Sequence, residues 1–216
     1  MRRFLSLMTL VSTIAWANAE PTTNAASLKI GSPAPKLQAA GWAQGEPVTE
    51  LSKGTAYIVE FWATWCGPCR AAIPHLNELS LKYKDKGLVV IGQNCWEREE
   101  SKVEPFIKTM GDKMTYRVAL DIKNDAKDRG RMAETWMQAA DRHGIPCSFV
   151  VDKEGKIAFI GHPMSLKEET LDQILAGTWD YAKAQAALEE ENRKAAEFRQ
   201  KAQEKAKPTN SPAKDG

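Results

Sequence analysis

The sequence predicts an α/β fold, a mixed central sheet flanked by helices, with a charged helix appended at the C-terminal end. Three observations carry that expectation. Residues 55–63, TAYIVEFWA, are almost wholly apolar and rich in β-branched and aromatic side chains, the pattern of a strand covered on both faces. In the following WCGPCRAAIPHLNELSLKYK, Ala72, Leu76, Leu79 and Tyr83 recur at helical spacing. Further on, IPCSFVVD and KIAFIGH flank a Lys153-Glu154-Gly155 turn, which reads as a hairpin.

The remaining elements follow in chain order. Residues 1–19 join Arg2 and Arg3 to an apolar run from Phe4 to Trp16 and close on Ala17-Asn18-Ala19. These are the basic region, short apolar core and small-x-small site of a cleaved secretory signal peptide. The run falls short of the roughly 20 apolar residues of a membrane span, so a membrane anchor is the lesser reading. Residues 20–36 read as a linker, ending in Gly31-Ser32-Pro33-Ala34-Pro35 before a short extended segment and a turn at Gly45-Glu46-Pro47. Within the first helix, Pro74 is expected to kink the chain. LVVIGQ after Gly87 predicts a second buried strand, residues 97–110 a helix that Pro105 could interrupt, and residues 114–120 a further strand. A helix over 131–143 should end at Gly144, and residues 166–176 should form a last amphipathic helix. The central domain is thus placed at 37–180. Residues 181–207 carry Glu and Lys or Arg at i,i+4 spacing but only Tyr181, Leu188 and Phe198 as large apolar residues, which favours a solvated helical extension over a dimerisation helix. A disordered tail is expected over 208–216.

Composition narrows the function. The chain has 216 residues, 43% of them hydrophobic, a formal net charge of +2 and no long basic cluster, so neither disorder nor nucleic-acid binding is indicated. Without Arg2 and Arg3 the chain is formally neutral, which excludes a partner chosen by bulk charge. No phosphate loop, Ser-His-Asp set or nucleotide fingerprint is present. The signal peptide places the mature protein in the periplasm or an equivalent extracytoplasmic space, where disulfides persist. Four cysteines are too few for a disulfide scaffold, and Cys66 and Cys69 are too close to staple distant segments, so chemistry explains that pair better. Zinc is not expected, since His75 and His143 are isolated from the pair.

Trp65-Cys66-Gly67-Pro68-Cys69, set between a buried strand and a helix, is far more specific than a bare CxxC. With Gly144-Ile145-Pro146 opening a later strand, it resembles the active site of the thioredoxin superfamily. The signal peptide, the GSPAP entry and the extra strand and helix between Gln93 and Gly144 look like the extracytoplasmic TlpA/ResA type of thiol:disulfide oxidoreductase, over about residues 28–178. The resemblance implies a thioredoxin-like fold, a redox-active Cys66–Cys69 disulfide with no other cofactor, and a cis Pro146 facing the dithiol. It also implies protein thiol or disulfide substrates, apocytochromes or copper-assembly proteins among them, and a membrane thiol-reductant transporter as electron donor. A monomer is favoured.

Physical chemistry assigns roles within that frame. Cys66, at a helix N-terminus, is the expected nucleophile, because free backbone N–H groups and the dipole stabilise its thiolate. Cys69, one turn inside, is expected to resolve the mixed disulfide. A cis Pro146 would leave the backbone at Ile145 free to pair with substrate, whereas a trans proline would merely start a strand. Trp65, Gly67 and Pro68 are expected to shape the substrate surface; Trp62 reads equally well as core. Glu60 is costly inside an apolar strand; it stands six positions before Cys66, where the resemblance implies a buried acid beneath the second cysteine, so it is expected to exchange a proton with Cys69, and the plainer alternative has it reaching the sheet edge. In the strand order that the resemblance implies, Cys95 and Cys147 lie on the two strands that flank the central one, two spacings or about 9.6 Å apart, beyond the roughly 7 Å a disulfide spans. They read as buried free thiols, with Cys147 also able to join the redox exchange or hold copper beside Cys66. The function expected is an exported reductase of envelope protein disulfides; the alternatives are a disulfide oxidase or isomerase, or a copper-handling thiol protein.

Overall fold

The computed structural model describes residues 27–125 and 127–206. Its six strands are β1 (Ala39–Gln44), β2 (Ala56–Trp62), β3 (Leu88–Asn94), β4 (Arg117–Asp121), β5 (Cys147–Val151) and β6 (Ile157–Gly161). They form one sheet in the order β1-β4-β3-β2-β5-β6. The strands β4, β3 and β2 run parallel, while β1, β5 and β6 each pair antiparallel with their neighbours, giving the expected mixed sheet. All seven residues of β2 are buried, as its apolar run requires. Alternation then divides the strand between two cores. Ile58 and Trp62 face the side covered by α1 (Gly67–Tyr83), α2 (Val103–Met110) and α3 (Glu168–Ala176). Tyr57, Val59 and Phe61 face the other side, where Trp136 and Phe149 meet edge to face at 5.5 Å.

Several elements differ from expectation. The helix expected over 97–110 starts as a single tight turn at Glu100 and becomes α2 only at Val103. Pro105 therefore falls in the first turn of α2, where no backbone donor is missed, and interrupts nothing. In α1, Pro74 does lie inside the helix and has no N–H for the Arg70 carbonyl. The strand expected over 114–120 begins at Arg117 and ends at Asp121. The helix expected over 131–143 is also shorter. After Arg131 and Met132 it is a π-helix, Ala133–Gln138, with Ala139 N–H donating five residues back to the Glu134 carbonyl. Asp141 then turns to φ +55° and ends the helical path.

The expected linker needs the clearest correction. Leu28 and Ile30 are buried, Leu28 N–H donates to the Ala139 carbonyl, and Gly31 and Ser32 pair with Ile157 at the start of β6. Residues 28–34 thus belong to the folded body, held by two apolar side chains and the hydrogen-bonding groups of an edge strand. The extension is likewise not wholly solvated. In α4 (Tyr181–Ala206), Leu188 is buried, Gln185 Oε1 accepts from Ile30 N–H at 2.9 Å and Tyr181 hydroxyl donates to Asp152, so its first two turns are fastened to the sheet. From Glu191 to Gln200 its residues are exposed. The expected signal peptide and the tail over 208–216 lie outside the described residues, among which no helix is long and apolar enough to cross a membrane.

One buried acid fixes the route from β4 to the loop before β5. Asp121, 6% exposed, accepts from Met132 N–H at 2.8 Å and Ala133 N–H at 3.0 Å and so caps the π-helical segment. Asp121→Ala would strand two buried donors, and we expect a loss of about 2–4 kcal/mol, read from denaturant unfolding.

Candidate active site

The chain leaves β2 at Trp62 and reaches Cys66 in four residues, so the sheet delivers the dithiol directly to the mouth of α1. Cys66 is the N-cap of α1 with extended backbone (φ −83°, ψ 102°), and its Sγ accepts from Cys69 N–H at 3.2 Å. Pro68 stands in the first turn, where its missing donor costs nothing. Cys66 and Cys69 are disulfide-bonded with Cα atoms 5.3 Å apart. Both are largely buried, whereas Trp65 is 44% exposed and Gly67 and Pro68 lie at the surface beside it. Trp62, at 1% exposure, is core.

The Ile145–Pro146 peptide bond is cis, and the Ile145 carbonyl oxygen lies 3.8 Å from Cys66 Sγ. The topology therefore brings Cys66, Cys69, Ile145 and Pro146 to one end of the sheet. Cys95 and Cys147 also reach that end but on the opposite side. Cys147 pairs with Phe61, and both thiols belong to the core that contains Trp136. They are unpaired and buried; burial, with nearby carboxylates, pushes Cys147 up to about 12 and Cys95 well above its ordinary value.

Glu60 shares the α1 side of β2 with Trp62, in the core that holds Cys69. It is 2% exposed, which excludes the sheet-edge reading. Ser148, its partner on β5, donates its hydroxyl to Glu60 Oε2, while Oε1 has no partner among the described residues. Desolvation dominates over that hydrogen bond and raises its pKa to about 8. Opposite Glu60 on β3 stands Gly92, where a Cβ would meet the Tyr116 ring at 2.9 Å and Trp62 Nε1 at 3.0 Å. The Tyr116 hydroxyl and Trp62 Nε1 are also buried without partners among the described residues, which brings three such polar atoms to this face.

Glu97 is a site residue that the sequence reading missed. Its Oε2 accepts from Thr64 N–H at 2.8 Å and from Asn94 Nδ2 at 3.2 Å, and its Oε1 accepts from the Thr64 hydroxyl at 3.0 Å. The carboxylate thereby holds the loop just before Trp65. Beside it, Trp65 Nε1 donates to the Trp96 carbonyl at 3.0 Å, and the Arg98 guanidinium lies over the Trp65 ring at 5.1 Å. Glu97 opens the stretch 97–110, whose sequence reads simply as a helix; the signal available was its place just beyond a strand that ends beside the dithiol.

Glu60 also makes stability depend on pH. The folded protein keeps its proton up to about pH 8, whereas the unfolded chain releases it near 4.5. Between those values the native state binds more protons, so stability is full below the lower value and is lost as pH rises toward the upper one. We expect the urea midpoint of the oxidised protein to fall across that window and Glu60→Gln to flatten the fall, as chemical denaturation at a series of pH values would show.

Residues 30–160 match the AhpC/TSA family. The chain is 30% identical to the protein FixW of Rhizobium leguminosarum over 155 residues, covering 72% of this chain and 70% of that protein. It is 32% identical to the thiol:disulfide interchange protein HelX of Rhodobacter capsulatus, covering 76% and 84%. A thiol:disulfide interchange protein of the thioredoxin family from Chlorobium tepidum superposes with a TM-score of 0.52 at 27% identity, covering 69% of this chain and 97% of that one. With a CxxC disulfide at the mouth of a helix on a thioredoxin-like sheet, the chain belongs to the AhpC/TSA family and is a thiol:disulfide oxidoreductase of the TlpA/ResA-like kind.

Proposed function

We propose that this chain works outside the cytoplasm, after loss of residues 1–19, as a dithiol reductase of protein disulfides. The observation that carries the reading is the meeting of Cys66 with the cis-Pro146 loop, which sets the more accessible sulfur 3.8 Å from a backbone carbonyl able to align an extended substrate. Cys66 is the nucleophile. Its thiolate attacks one sulfur of the substrate disulfide; a Cys66–substrate bond forms, the substrate S–S bond breaks, and the departing thiolate takes a proton. Cys69 resolves the intermediate. Its thiolate attacks Cys66 Sγ, the mixed disulfide breaks, and a second substrate thiolate leaves, so two electrons pass from the dithiol to the substrate. Glu60, raised in pKa and on the Cys69 side of β2, accepts the proton that Cys69 must lose, and returns it when the pair is reduced again. Pro146 and Ile145 form the substrate-pairing edge, and Trp65, Gly67 and Pro68 the surface around it. A membrane thiol-reductant transporter resets the dithiol, and the protein acts as a monomer.

The roles of the two sulfurs separate in a trapping experiment. Cys69→Ser should hold substrate proteins as mixed disulfides on Cys66, and Cys66→Ser should hold almost none; non-reducing gels of periplasmic extracts give the count, and equal trapping would sink the assignment. The direction of transfer is read from the reduction potential of the Cys66–Cys69 couple. Gly-Pro between the cysteines resembles reducing thioredoxins, so we expect a value nearer roughly −270 mV than about −120 mV, and the latter would make the protein an oxidase.

A further inference from the structure

Ser148 satisfies one oxygen of Glu60, and the other, Oε1, is buried without a partner among the described residues. Gly92 stands beside Glu60 on β3 and on the same face of the sheet. A Cβ there would lie 3.0 Å from Trp62 Nε1 and 2.9 Å from Tyr116 Cε2, so the indole N–H and the edge of the phenol meet over the backbone next to Glu60. Tyr116 is placed from two sides. Gln44 Nε2, at the end of β1, donates to the Met114 and Tyr116 carbonyls at 2.8 and 2.7 Å. Asn77, buried on α1, accepts from the Thr115 N–H and hydroxyl at 2.7 and 2.8 Å. The helix that carries Cys69 therefore also holds the segment that presents Tyr116.

The Tyr116 hydroxyl, Trp62 Nε1 and Glu60 Oε1 are all unpartnered among the described residues, and their hydrogen-bonding senses are complementary. The indole donates only, the phenol donates or accepts, and the carboxylate accepts only. An internal water typically makes about three hydrogen bonds to buried groups otherwise unsatisfied, which is the set present here. The other elements bring no charge to this core. β5 contributes Ser148, α1 contributes Cys69 with Ile73 and Leu76, and α2 contributes Val103, Phe106 and Ile107. Tyr83 stands at the opposite end of α1, and Cys95 and Cys147 lie across the sheet.

We propose that one internal water is bound by Glu60 Oε1, the Tyr116 hydroxyl and Trp62 Nε1, and that Tyr116 is a positioning residue acting through Glu60. The inference rests on the reading of Glu60 as acceptor of the Cys69 proton. The water accepts from the indole and the phenol and donates to Oε1, which favours the carboxylate, the form of Glu60 that takes a proton. The Cys69 thiol gives its proton to that carboxylate, its thiolate attacks Cys66 Sγ, and the substrate thiolate leaves.

Tyr116→Phe deletes one oxygen and keeps the ring. The oxidised protein, whose dithiol does not titrate, gives the first readout: the carboxyl resonance of Glu60 in isotope-labelled protein, assigned by its loss in Glu60→Gln. It should titrate near pH 8 in the unaltered chain and about one unit higher in Tyr116→Phe. The Trp62 indole N–H of the unaltered chain should show a cross-peak to a long-lived water, weakened in the variant. With dithiobis(nitrobenzoate) as the disulfide, the reduced protein releases one coloured thiolate on capture by Cys66 and a second on resolution by Cys69. Capture should keep its rate, and resolution should slow about tenfold below pH 8. An unmoved Glu60 titration, or no long-lived water at the indole, overturns the proposal and leaves Glu60 as proton acceptor. Equal slowing of both steps overturns it as well, because a damaged fold does that. If Glu60→Gln leaves resolution unaltered at every pH, the reading of Glu60 falls, and the effect proposed for Tyr116 on resolution falls with it.

Discussion

Strand β2 pairs along its length with β3 and along most of it with β5, and it is sealed from water on both faces. Everything at the active end depends on that double pairing. It fixes where the chain leaves the sheet, hence where Cys66 caps α1, and it fixes where the cis-Pro loop enters β5 across from it. The dithiol and the loop come from distant parts of the sequence, yet each is only a few residues from the same buried strand. Their separation is set by sheet geometry, whose spacing is about 4.8 Å per strand, rather than by loop conformations.

The same strand keeps two kinds of sulfur apart. Cys66 and Cys69 lie in the core with Ile58 and Trp62, while Cys95 and Cys147 lie in the core with Val59 and Phe61. A one-residue slip of β5 against β2 would carry Cys147 to the reactive side and remove Ser148 from Glu60. Register is therefore a redox constraint as well as a packing one. Burial does the rest, because a thiol whose ionisation is pushed far above neutral offers almost no thiolate for exchange.

What the sequence disclosed, and what it hid, follows from the range of the interactions. The strand at 55–63, the helix after it and the hairpin at its Lys-Glu-Gly turn were legible because their patterns are local and strong. Glu60 stood out because a carboxylate in such a run is costly, but its partner Ser148 depends on a cross-strand register that no local pattern encodes. Glu97 was hidden for the opposite reason, since its neighbours are charged and its work is done by contact with Thr64. The π-helix escaped because a 3.6-residue period cannot reveal five-residue hydrogen bonds. Leu28, Ile30 and Leu188 were too sparse to announce that residues 28–34 and the start of α4 are part of the body.

The two edges of the sheet have a common consequence. At one edge, β1 carries register irregularities between Ala39 and Gly41 and between Trp42 and Gln44; at the other, the start of β6 is already occupied by Gly31 and Ser32. Both devices make it hard for a foreign strand to zip onto the sheet. Under the proposed function, the substrates are protein chains that present extended backbone around a cysteine, and such backbone can pair with any open sheet edge. With both borders closed, the short stretch beside Pro146 is the pairing edge that the proposed function leaves for a substrate, too brief to seed the edge-to-edge growth of an aggregate.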